Sequence, residues 1–142
     1  MCYTWGVIEY LSGYFDADGT IGIRRPSGRS HYLVMSVNGV DPAPLYVFQE
    51  RWGGWVYARG KPVSPDHRQM YEWQVRPSPS ALSDLLPFLI VKRLQVQVSL
   101  RFLRECPSNR GRKLTPQQVE RREVYRSLLA KLKRLPLTHA AT

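Results

Sequence analysis

At 142 residues the chain is long enough to bury a core but short for two domains, and 43% hydrophobic against 23% charged residues excludes a disordered protein. No apolar run reaches bilayer length, and two distant cysteines, Cys2 and Cys106, give no support to a disulfide framework or a zinc site. Lys and Arg number 21 against 11 Asp and Glu, a net charge of +10, which suits a polyanion because guanidinium groups grip phosphates and read guanine edges. A ribosomal protein, a repressor, a nuclease and an anionic membrane surface all satisfy that balance.

The opening "MCYTWGVIEYLSGY" lacks the basic start and cleavage site of a secretory signal and reads as mature structure. Thr4 caps a first helix in which Trp5, Ile8, Leu11, Ser12 and Phe15 recur at helical spacing, and Gly19 stops it. Gly13 costs such a helix about 1 kcal/mol relative to alanine; it marks either close approach of another backbone or a tolerated imperfection. Asp16 and Asp18 fall where the helix's unpaired carbonyls favour cations. A hard divalent cation would make two acids acceptable there and bridge to a phosphate oxygen; a plain Asp-Gly turn is the other reading.

"TIGIRRPSGRSHYLVMSVNG" predicts a hairpin turning at "PSGRS", with Leu33, Met35 and Val37 on a buried face and Tyr32, Val34, Ser36 and Asn38 on a polar or amphipathic one. Next comes a helix with Asp41 as N-cap, Pro42 at its first position, Leu45, Phe48 and Trp52 on one stripe, and Gly53-Gly54 as its stop. A second hairpin pairs "WVYARG" with "MYEWQV"; Tyr71, Trp73 and Val75 share one side of the latter. A short helix starts at Ser80. In "FLIVKRLQVQVSLRFLREC" the period-two alternation of a strand competes with a helical stripe of Val91, Leu94, Val98 and Phe102, and periodicity leaves both open. "NRGRKLTPQQ" is a basic linker to a last helix with a Thr115/Gln118 capping box around Pro116. Val119, Leu128, Leu132 and Leu135 dock that helix weakly, and Arg121, Arg122, Arg126, Lys131, Lys133 and Arg134 form a solvated face or touch phosphates. His31 and His67 have no metal-pair spacing and suit turn or surface roles.

The eleven residues "LSGYFDADGTI" closely resemble the defining motif of the LAGLIDADG homing endonucleases, with the closing Asp-Ala-Asp-Gly intact. "LLPFLIVKRLQVQVSLRFL" resembles that family's second landmark, a Pro-aromatic-Leu segment carrying an active-site lysine. "GRKLTPQQVERREVY" resembles the C-terminal extension of its small bacterial members. The resemblance implies an α+β, αββαββα unit whose curved antiparallel sheet is half a saddle over the DNA major groove, plus C-terminal helices. Residues 1–106 would be the core, and residues 107–142 a basic linker and helix of the same domain. On this analogy "LQVQVSLRF" is helical.

The implied activity is site-specific hydrolysis of both strands of a long, pseudo-palindromic DNA target. One motif per chain implies a homodimer, with Ser12, Gly13 and Asp16 at the helix-to-helix interface. By position Asp18 matches the ligand of the catalytic Mg2+, which Mn2+ could replace, together with the Ala17 backbone carbonyl; Asp16 matches an acid of structural or capping role, and Lys92 the active-site lysine. Many members orient the attacking water with a glutamine, where this chain offers Asn38. DNA contacts are expected from Arg24, Arg25, Arg29, Tyr32 and Ser36 of the first hairpin and from Tyr57, Arg59, Lys61, Arg68 and Gln69 of the second. An RNA maturase or a non-cleaving DNA-binding protein is the alternative. The implied setting is a mobile intron in a bacterial cytoplasm or an organelle, with no membrane or small-molecule partner.

Overall fold

A computed structural model describes residues 6–27, 30–62 and 64–135. The chain runs α1 (Val7–Asp18), β1 (Gly19–Arg24), β2 (Tyr32–Gly39), α2 (Ala43–Trp52), β3 (Trp55–Ala58), β4 (Tyr71–Val75), α3 (Pro79–Leu85), a 3-10 turn (Leu86–Phe88), α4 (Arg93–Glu105) and α5 (Pro116–Leu132). This is the expected αββαββα order followed by two C-terminal helices. Thr4, Trp5, Cys2 and Arg29 lie outside the described residues.

The four strands form one antiparallel sheet in the order β1-β2-β4-β3, with Gly19 opposite Val37 and Val37 opposite Trp73. Strand alternation then sends Ile21, Ile23, Leu33, Met35, Val37 and Trp73 to one face, where all are buried together with Leu11, Phe15, Leu45 and Phe48 of α1 and α2. Each fully buried side chain of this size contributes about 1.5–3 kcal/mol. Trp73 stacks on Phe48 with ring centroids 4.7 Å apart, and its indole N–H donates to the Gly53 carbonyl at 2.8 Å. The side of "MYEWQV" carrying Tyr71, Trp73 and Val75 is therefore the core side. The opposite, open face carries Thr20, Gly22, Arg24, Tyr32, Val34, Ser36, Asn38, Trp55, Tyr57, Glu72 and Gln74.

Gly19 is the extended C-cap of α1, and only glycine fits there, because a Cβ would overlap the buried Phe15 ring. α2 begins one residue later than expected. Pro42 is its N-cap, and Asp41, now outside the helix, accepts the Ala43 N–H at 2.9 Å in a short side-chain turn. α3 begins one residue earlier, because Ser78 accepts the Ala81 N–H at 3.2 Å and Pro79 takes the first helical position.

"LQVQVSLRF" is helical, but its buried stripe is Gln95, Val96, Ser99 and Phe102, while Val91 and Leu94 are exposed. The helix accommodates a buried hydroxyl itself: Ser99 donates to the Gln95 carbonyl at 2.8 Å. α5 has the expected capping box, with Thr115 N–H to Gln118 Oε1 at 2.9 Å and Gln118 N–H to Thr115 Oγ1 at 3.2 Å. Its docking face differs from expectation. Arg122, Tyr125 and Leu129 are buried and Leu132 is half-buried, whereas Leu128 and Leu135 are exposed. Arg122 enters the interior because its guanidinium donates to the Pro107 carbonyl at 2.7 Å.

Candidate active site and nucleic-acid face

The last turn of α1 contains no basic residue. Its compensating cation arrives from elsewhere in the chain. The Asp16 carboxylate accepts the backbone N–H groups of Ile90, Val91 and Lys92 at 3.0, 3.1 and 2.8 Å, and the Lys92 ammonium donates to the Asp16 carbonyl at 2.9 Å. Lys92 is the N-cap of α4. One clamp therefore places an anion at the N-terminus of α4 and a cation at the C-terminus of α1, both favoured by the helix dipoles. Asp16 is buried by this clamp within its own chain.

Asp18 ends α1 and is exposed. Burial draws the Lys92 pKa below the ordinary lysine value, opposed by the nearby Asp16 and Asp18 carboxylates. Burial, followed by Asp18, Tyr10 and Asp41, pushes the Tyr14 phenol above its ordinary value. The register that pairs Gly19 with Val37 puts Asn38 at the neighbouring level of β2, opposite Glu72 of β4. Asn38 Oδ1 is buried without a hydrogen-bond partner among the described residues. An orphaned buried oxygen one residue past the β2 partner of Gly19, together with the exposed Asp18 carboxylate and the exposed Ala17 just before Gly19, suits a hydrated hard cation, whose ligands are carboxylates, carbonyls and water. Among the described residues no three His, Cys, Asp or Glu side chains converge to hold a metal. One chain thus offers a partial donor set of the right chemistry.

Some of the residues expected to contact DNA lie on the open face, and others are engaged elsewhere. Arg24, Tyr32 and Tyr57 lie on it, and Arg59 follows β3 on the same side, with its Nε 3.9 Å from Glu72. Ser36 is buried and its hydroxyl is bonded to Thr20 at 2.8 Å, so it is not presented for reading. Gln69 spends its amide on three carbonyls of its own loop, those of Gly60, Met70 and Arg59 at 2.8, 3.0 and 3.4 Å. Lys61 and Arg68 are exposed on that loop, and Arg25 is exposed just beyond β1.

Four residues were missed. Glu72 is buried and accepts from the Tyr57 hydroxyl, which also lies 3.3 Å from Gln74. Trp55 is 69% exposed, and the Arg76 guanidinium covers the Tyr32 ring at 4.0 Å. Their signal was the alternation of "MYEWQV": once Trp73 is assigned to the core, Glu72 and Gln74 must face the other way. Burial raises the Glu72 carboxyl above its ordinary value, while nearby Arg24 draws it down.

Ser12 is fully buried within the single chain. Gly13 is exposed, and a Cβ there would meet nothing within 4 Å. Glu9, Tyr10, Gly13 and Ala17 form the outward side of α1. His31 is not a surface residue: it is buried, and its Nε2 lies 2.6 Å from Glu123 of α5, tying the start of β2 to the C-terminal helix. His67 keeps an exposed turn role, paired with Ser64 at 2.6 Å.

No family model matches the chain, and no curated protein sequence does. Solved structures do. The homing endonuclease I-CvuI, in complex with the I-CreI target DNA, superposes with a TM-score of 0.69 at 21% identity, over 91% of this chain and 83% of its own. The archaeal intron-encoded homing endonuclease I-Vdi141I, complexed with DNA, gives 0.64 at 19% identity, over 93% and 90%. The LAGLIDADG meganuclease I-AabMI, bound to uncleaved DNA, gives 0.52 at 14% identity, over 94% of this chain but 47% of its own. The chain has the LAGLIDADG homing endonuclease fold. It carries one motif and one αββαββα unit, spanning most of I-CvuI and about half of I-AabMI.

Proposed function

We propose that the protein is a site-specific homing endonuclease that, as a symmetric homodimer, cuts both strands of a long, pseudo-palindromic duplex, with Mg2+ as cofactor and Mn2+ as a substitute. The observation that carries this is the Asp16 clamp, which brings Lys92 within electrostatic reach of Asp18 where α1 meets the open face of the sheet. The I-CvuI complexes with DNA were studied in the presence of Mg or Ca, which supports the choice of divalent ion.

When bound, the metal supplies Lewis-acid polarisation of the scissile phosphate and an activated water. Asp18 and the Ala17 carbonyl hold it, and the second copy contributes the same pair. Lys92 balances charge at the phosphate, with its ammonium anchored on Asp16. Asn38 accepts a hydrogen bond from the attacking water through its orphaned Oδ1. The exposed outward side of α1, with Gly13 and Ala17 as its small residues, is the surface for the second copy. No covalent nucleophile is required.

The test is incubation with a randomised duplex library and magnesium, comparing wild type with Asp18→Asn. Wild type is expected to cut one sequence on both strands as a dimer on DNA by mass. Asp18→Asn is expected to bind the same sequence but cut it more than about 100-fold more slowly, exceeding the loss from outer-shell changes at metal sites. Sequence-specific binding by wild type without cleavage at any Mg2+ or Mn2+ concentration would replace this function with that of a non-cleaving binding protein. A monomer on DNA would remove the shared site.

A further inference from the structure

α5 runs alongside the sheet, with the residues just after it exposed. It packs on α4 and on β1, the edge strand. Leu129 is buried in the core, and Glu123 is held by His31, so the rotation of the helix about its axis is fixed. Lys133 follows as its C-cap, with its backbone N–H donating to the Leu129 carbonyl at 3.2 Å. From there its side chain crosses to the open face. A Cβ placed on Gly22 would lie 2.9 Å from the Lys133 Nζ. Gly22 lies between Thr20 and Arg24 and is paired with Val34, and its missing side chain leaves the slot into which the ammonium fits.

The electrostatics of that slot are unbalanced. Lys133 keeps an exposed surface, yet its pKa is drawn below the ordinary lysine value by partial burial, then by Arg24 and Lys92. Lys92 has Asp16 and Asp18 for company, whereas among the described residues no carboxylate forms an ion pair with Lys133. Lys133, Arg24 and Lys92 thus act on one another electrostatically, and of the three Lys133 is the one with no nearby carboxylate among the described residues to balance it. A doubly hydrogen-bonding, negatively charged oxygen cluster is the chemistry that offsets such repulsion, and a duplex backbone supplies one at every step.

We propose that Lys133 is a phosphate-binding residue of the open face: its ammonium, seated over Gly22, takes a DNA backbone phosphate lying between Lys92 and Arg24. This rests on the DNA-cleaving reading above and extends the working surface to α5. The phosphate it holds is a neighbour of the one served by Asp18 and Lys92, so Lys133 sets the path of the strand past the reacting centre.

The experiment measures affinity of the full chain for a short random-sequence duplex across a salt series, with calcium replacing magnesium, and uses the library assay in parallel. Lys133→Met is expected to weaken binding alike on all sequences and to reduce the salt slope by about 1 per copy, about 2 for the dimer. Lys131→Met, an equal loss of charge on the same helix at a residue that does not approach Gly22, is expected to leave the slope unchanged. Equal slopes for the two variants would overturn the proposal. Gly22→Ala keeps the charge but fills the slot. It is expected to lower the slope in wild type and to add nothing in Lys133→Met, and full additivity would also overturn the proposal. A wild type that cuts the library while Lys133→Met keeps the wild-type slope would sink Lys133 and leave the nuclease standing. A wild type that cuts nothing while the slope still falls would do the reverse, and failure to bind any duplex would end both.

Discussion

The two hairpins of the sheet share a core face but differ in what they leave open. In the first, β2 is buried on both sides: Leu33, Met35 and Val37 inside, Val34 and Ser36 outside, with His31 locked to α5. In the second, Trp73 is buried while Trp55 and Tyr57 stay exposed on β3, the far edge. The difference comes from position. β2 is central and its neighbour β1 is flanked by α5, whereas β3 has a neighbour on one side only. The first hairpin is therefore chiefly an anchor and the second the more open surface, an asymmetry that an even distribution of candidate contacts between them misses.

The sharpest way to break this comparison is in stability. Met35→Ala, at a fully buried site of β2, is expected to cost about 2–5 kcal/mol. Trp55→Ala on β3 should stay within about 0.5 kcal/mol while weakening DNA binding. Chemical denaturation and a binding titration of both variants check the pair.

Asp16→Ala comes next: it strands three backbone N–H groups and is expected to cost about 2–3 kcal/mol. Asp18→Asn, exposed and outside the clamp, should leave the melting temperature close to wild type. Equal melting temperatures for the two variants would dissolve the distinction between the acids.

At the level of recognition, Gln74→Ala is expected to relax base preference by about 1–3 kcal/mol at one position of each half-site, read from a selected-site profile. Ser36→Ala should leave that profile unchanged, since its hydroxyl is committed to Thr20.

The smallest effect concerns the anchor's pH dependence. Hydrogen bonds from His31, then Arg126, hold the Glu123 carboxyl below its ordinary value of 4.5. A lowered carboxylate pKa contributes stability above that ordinary value and loses it as pH falls through the folded one. Glu123→Ala is expected to cost about 1 kcal/mol at neutral pH, with the gap to wild type closing on acidification. A gap that persists through acid denaturation would show that His31 draws nothing from the carboxylate's charge.

What the sequence conveyed follows the range of the interactions. The α1 motif, the α5 capping box and the first hairpin are local, and each was legible. The face of "MYEWQV" was not, because three apolar residues on one side of a strand do not by themselves say which side meets a helix. The phases of α4 and α5 were misjudged where polar groups are buried with partners: Ser99 on its own helix, Arg122 on Pro107. Ser36 and Val34 were assigned to an open surface because cover over a strand comes from elements distant in sequence. Asp16 shows the limit most clearly. Its motif marked it as structural, but nothing near it in the chain revealed that Ile90, Val91 and Lys92 were its partners.

That clamp also has a temporal side. It joins residues separated by 74 to 76 positions, a closure whose entropy must be met before its bonds form. Contacts of such range are the slow part of folding, and Lys92 has no anchor on α1 until this one closes. A nascent or partly folded chain can therefore hold the whole DADG motif while Lys92 is still far from Asp18, so the sequence motif is complete well before its three-dimensional setting is.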